Sequence, residues 1–139
     1  MPDSYLDSQG TYVDRDAMVG KRNFVSTVAD TRAYTAAESG TVTLATKTSA
    51  TQTFTLPAVE AGLEYSFIAG SAAGEVLINP TGSVVFNIKA SEGGAAVSTA
   101  AGTGIKNTAA TNIAGDRISV ISDGTAWYAS SQSGIWATQ

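Results

Sequence analysis

The chain contains neither cysteine nor histidine. Without cysteine there is no disulfide framework and no thiolate metal site. Without histidine it lacks the usual general base near neutral pH and the commonest transition-metal ligand. Ser-His-Asp and Cys-His devices are therefore excluded, and neither catalytic residues nor a metal or cofactor is expected. Charged residues make up only 14% of the chain and their balance is acidic, at a formal net charge of −4. A phosphate backbone is bound through a Lys/Arg footprint, so nucleic acid is not expected as a partner. No apolar run approaches about eighteen residues, so no membrane partner is expected. The opening Met1-Pro2-Asp3-Ser4 has no basic segment leading into an apolar one, and synthesis in a cytoplasm is the expectation.

What is present is small and β-prone. Threonine, serine, alanine and 14 glycines dominate, and strong helix formers are few. A length of 139 residues suits one core. Charged residues concentrate between Asp3 and Arg32 with no sustained period, so residues 1–38 read as an N-terminal arm, extended or partly helical from Asp14 or Asp16. Residues 39–139 read as the body, an all-β, antiparallel sandwich, jelly-roll-like or barrel-like.

Within the body, period-two alternation predicts which side chains point inward. The inward sets are Val42 with Leu44, Phe54 with Leu56, Tyr65 with Phe67 and Ala69, and Val84 with Phe86 and Ile88. Pro57 and Asn79-Pro80-Thr81-Gly82 mark turns, as do Gly93-Gly94 and Gly102-Thr103-Gly104, which lack the Lys-Ser/Thr of a phosphate loop. Residues 90–115 hold only Val97, Ile105 and Ile113 as sizeable apolar groups, which leaves open a weakly registered hairpin, a long loop or a subunit contact. Asp123-Gly124 between two alternating runs predicts a two-residue type I′ turn. That turn sets Ser122 opposite Thr125, Val120 opposite Trp127 and Ile118 opposite Ala129.

Glu60 and Glu64 are the nearest approach to a glycosidase pair, but they flank Gly62 and read as solvated loop carboxylates. Asp3, Asp7, Asp14 and Asp16 lack the alternating ligands and central glycine of a calcium loop. Aromatic residues are the other groups able to bind, by stacking on sugars or anchoring an interface. Tyr34, Tyr128 and Trp136 are the candidate interface or surface aromatics.

Four segments resemble a β-rich module of tailed-bacteriophage virion proteins, over residues 41–136. They are Thr55-Leu56-Pro57 through Ile68, Gly115-Asp116-Arg117-Ile118, Ser122-Asp123-Gly124-Thr125-Ala126-Trp127-Tyr128 and the closing Gly134-Ile135-Trp136. The short chain without heptads and the polar arm before a compact body are most similar to capsid decoration, or cement, proteins. The resemblance implies a homotrimer on the outer surface of the phage head, binding the major capsid protein and stabilising contacts between its subunits. It also implies that Tyr5, Leu6, Tyr12 and Phe24 of the arm are capsid-binding anchors. The alternative is a tail-fibre or tail-tip domain that recognises a cell-surface glycan.

Overall fold

A computed structural model describes residues 4–6, 12–14, 22–71, 74–89 and 96–139. The body is an all-β sandwich of a seven-stranded sheet, in the order β10-β9-β13-β12-β7-β5-β3, over a five-stranded sheet, in the order β14-β11-β8-β6-β4. The strands of its first half are β3 (Phe24–Thr27), β4 (Thr31–Ala33), β5 (Val42–Ala45), β6 (Gln52–Thr55), β7 (Glu64–Ala69) and β8 (Val76–Asn79). Those of its second half are β9 (Phe86–Lys89), β10 (Ala96–Ser98), β11 (Ile105–Asn107), β12 (Arg117–Ser122), β13 (Trp127–Ser133) and β14 (Ala137–Thr138). A separate antiparallel hairpin pairs β1 (Ser4–Leu6) with β2 (Tyr12–Asp14).

The sheets are mixed, where alternation alone had suggested antiparallel ones. From β3 to β8 the chain crosses between layers at every step, so each strand lies parallel to the strand two before it. Three coils result: β3 with β4, β5 with β6, and β7 with β8. The second half instead folds back, through the antiparallel β12–β13 pair and β12 against β7. Residues 90–115 contribute one short strand to each layer, β10 beside β9 and β11 beside β8.

The body also begins earlier than expected. Phe24–Thr27 and Thr31–Ala33 are edge strands of the two sheets, so the boundary at residue 38 falls inside the sandwich. The possible helix at Asp14 meets a strand instead, and its continuation through Asp16 lies outside the described residues. A single 3-10 turn, Ala36–Glu38, joins the first coil to the second. Glu38 accepts the backbone N–H of Thr35 at 2.8 Å and pairs with Arg32 at 3.0 Å.

Aromatic side chains fill the space between the layers. Tyr34, Phe54, Phe67 and Tyr65 form one cluster, and Tyr65 meets Trp127 edge-on at 5.9 Å between centroids. Trp127 then stacks on Phe86. The position of Tyr34 explains one reversed strand. Val42 and Leu44 were expected inside, yet Thr43 and Ala45 are the buried residues of β5. The Tyr34 ring occupies that interlayer space and its hydroxyl bonds the Thr43 hydroxyl, so only small side chains fit beneath it.

The Asp123-Gly124 loop closes differently as well. Ser122 pairs with Trp127 and Val120 with Ala129, so four residues connect the strands. A type I′ turn requires positive φ at both central residues. Gly124 has φ +95°, while no described non-glycine residue has a positive φ. Asp123 instead accepts the N–H groups of Thr125 and Ala126 through its carboxylate. The register moves by two residues at Val120 and, past a bulge between Ser119 and Val120, by three at Ile118, which pairs with Gln132, while Ile118, Val120, Trp127 and Ala129 all pack into the core.

Candidate interaction surface

The register fixes what the outer face of the seven-stranded sheet presents. One row across it runs Glu64, Ile121, Tyr128, Asn87, Ser98, and the next runs Phe24, Val42, Ser66, Ser119, Ser131. A third begins Ser26, Leu44, Ile68, Arg117. Tyr128 and Phe24 stand out of this face at 42% and 61% exposure, whereas the aliphatic side chains between them are half-buried by their neighbours. The Ser66 and Ser119 hydroxyls bond each other at 2.7 Å in the middle. With strands about 4.8 Å apart, the two aromatics are separated by about 19 Å, a span suited to a macromolecular partner.

Tyr128 has a defined electrostatic setting. The Asp123 carboxylate, by its charge and then by a hydrogen bond, raises the Tyr128 phenol above its ordinary value. Asp123 itself is held below the usual aspartate value, first by the Ala126 N–H and then by that of Thr125. Beside Tyr128 lies a shallow depression of about 280 Å³ that includes Asn87, Lys89 and Ala129. A second, of about 220 Å³, continues past Lys89 to Ser130 and Gln132. The Gln132 amide both accepts from the Lys89 N–H and donates to the Lys89 carbonyl, which extends the β13–β9 contact beyond its two ladder pairs.

The other candidate aromatics fall elsewhere. Tyr34 is 4% exposed and Trp136 is fully buried, so both are core side chains and not surface anchors. Burial raises the Tyr34 phenol, against the opposing effects of Thr43 and Arg32, whose guanidinium lies 5.0 Å from the ring centroid. Tyr5, Leu6 and Tyr12 lie on the β1–β2 hairpin, and their side chains are outside what is described. Of the arm anchors, Phe24 alone has a described side chain, and it belongs to the sandwich.

Glu60 is exposed in the loop before β7, and Glu64 lies on the outer sheet face across from Ile121. Neither depression beside Tyr128 includes them. Of the four N-terminal aspartates only Asp14 falls on described backbone, and the described residues contain no cluster of three or more metal-ligating side chains.

Two buried polar groups that alternation does not mark hold the framework. Gln52, 1% exposed, donates to the carbonyls of Thr27 and Ala29 and accepts from the Lys47 N–H, tying the first coil to the second. Asp116 accepts from the Asn107 amide and from the Ile113 N–H, both at 3.0 Å, and Asn107 also donates to the Ile135 carbonyl. Gly134, at φ +85°, leaves room for that carboxylate, and a methyl group there would overlap it. The segments 55–68, 115–118, 122–128 and 134–136 thus form one continuous piece of structure. Gly62 and Leu63 bond Ser122 across the loops, and Asp116 meets the closing Gly134-Ile135-Trp136. No protein-family model and no curated protein matches the chain.

Proposed function

We propose that this chain is a non-enzymatic structural virion protein that decorates the outer surface of a phage head and stabilises contacts between major capsid subunits. The observation that carries the reading is the outer face of the seven-stranded sheet, with Phe24 and Tyr128 exposed over a floor of half-buried aliphatic and hydroxyl side chains. Exposed aromatics on a rigid sheet serve as anchors for a protein surface. The resemblance of residues 41–136 to tailed-phage modules supports a virion setting, and implies a homotrimer. The cysteine- and histidine-free composition supports work through surfaces and not through bond-making.

The N-terminal hairpin then acts as a reaching element. Two strands of three residues are marginal on their own in water, and docking on a capsid would supply the missing contacts. A truncation that tests this must stop before β3, because removing Phe24–Thr27 strips the edge of the body. Deletion of residues 1–21 should leave a folded sandwich that no longer cosediments with undecorated heads. Undiminished binding by that truncation would refute the arm's role.

A second reading draws on Tyr128, whose exposed ring beside Asn87, Lys89 and Asp123 has the makings of a sugar-stacking site. In that case the chain is a tail-fibre or tail-tip domain that recognises a cell-surface glycan. Glycan-array binding abolished by Tyr128→Ala, with no binding to heads, would replace the first reading with this one.

A further inference from the structure

The two sheets end at the same place. β3 is the last strand of the seven-stranded sheet and β4 the last of the five-stranded sheet, and the two are consecutive in the chain. Among the described residues, this end of the sandwich is therefore an open coil with one unpaired edge in each layer. Edge strands are usually protected by charge, proline or a bulge. Phe24-Val25-Ser26-Thr27, with Val28 after it, has none of these and is made of β-prone residues.

The ladder shows which groups are free. In a parallel pair a strand bonds one neighbour through alternate residues. The N–H groups of Val42 and Thr46 donate to the carbonyls of Asn23 and Thr27, so the odd-numbered residues of β3 face β5. Phe24 and Ser26 direct their backbone N–H and C=O groups away from the sheet, and Val28 follows one residue past the end of the strand. The same residues carry exposed apolar side chains, Phe24 at 61% and Val28 at 66%.

This edge is complementary to itself. Laid antiparallel about Ser26, two copies set Ser26 opposite Ser26, and Phe24 of each opposite Val28 of the other. Each of the two exposed apolar groups then covers its counterpart, in the aromatic to β-branched pairing that stabilises sheets. Among the described residues, β1 and β2 pair with each other and neither pairs with β3 or β4.

We infer that the open β3–β4 coil is a two-fold interface with a second copy of this chain, formed by edge-to-edge pairing of β3 about Ser26. A two-fold contact requires an even number of chains: two if it acts alone, six if it joins a pair of three-fold trimers.

Light scattering on the full chain at high concentration should therefore give an even number of chains. Ser26→Pro removes an outward N–H and leaves the β5 ladder intact, so it should halve the assembly while the circular dichroism spectrum is retained. Because the chain lacks cysteine, Ser26→Cys offers a readout that does not depend on how the proline variant folds. Directly paired residues in such a ladder have Cα atoms about 5.5 Å apart, within disulfide reach. Mild oxidation should convert most of the Ser26→Cys protein to a covalent dimer. One or three chains in the wild type, an unchanged mass for folded Ser26→Pro, or a Ser26→Cys protein that stays uncrosslinked would each overturn the inference.

Discussion

The coiled half of the body, β3 to β8, and the folded-back half, β9 to β14, bury the same core by different means. Within the coils each strand pairs with the equivalent strand of the neighbouring coil, and the Gln52 side chain ties the first coil to the second. In the folded-back half the central pairing is a hairpin closed by Asp123, and the C-terminal segment is fastened by Asn107 and Asp116. The contrast has a structural consequence. Coiling builds parallel layers but leaves its first coil open, whereas a hairpin satisfies its strands locally. The open edge and the exposed Phe24 belong to the coils, and Tyr128 belongs to the hairpin.

Trp127 touches Tyr65 of one half and Phe86 of the other, so its removal should dissolve the distinction. Trp127→Ala should destabilise the whole fold by about 3–5 kcal/mol, with one cooperative transition in urea. Gly134→Ala should act on the folded-back half alone. A left-handed backbone at a non-glycine residue costs about 1–3 kcal/mol, and displacing Asp116 adds to it. Hydrogen exchange should accelerate at β11 and β14 while β5 and β6 keep their protection. Gln52→Ala is the mirror experiment. It leaves the carbonyls of Thr27 and Ala29 without the amide and should cost about 1–3 kcal/mol, with exchange rising first in β3 and β4.

The smallest effect concerns pH. Asp123 titrates below its ordinary 3.8 in the folded chain because the Ala126 and Thr125 N–H groups stabilise the carboxylate. A depressed acid stabilises the fold above its unfolded pKa, and that contribution is lost as pH falls through the folded value. Glu38 behaves alike, held below 4.5 chiefly by the Thr35 N–H. Asp123→Asn should therefore flatten the acid limb of a thermal melting profile below about pH 4 and change little at pH 7.

The sandwich and most of its inward face were legible because a strand's phase is written in its own residues, as at Phe54, Tyr65, Phe67, Phe86 and Trp127. Phase failed at β5, where Tyr34 from another strand fills the space that Val42 and Leu44 were expected to fill. Parallel coiling was not legible, because alternation within a strand carries no record of its neighbour's direction. The roles of Gln52 and Asp116 were hidden for a related reason. Their partners are backbone groups of distant segments, and the single hint was a polar Gln52 in the inward phase of Phe54. Trp136 and Tyr34 were placed among the surface candidates although the interlayer space needed them, whereas Tyr128, named with them, is exposed on the outer face.

Under the proposed function the chain acts by the surfaces it presents to a capsid. Electron microscopy of intact particles carrying a label on this chain tests that directly. Density repeating over the head surface, in contact with the major capsid lattice, is the predicted result. Label confined to tails or fibres, or absent from particles altogether, would contradict it.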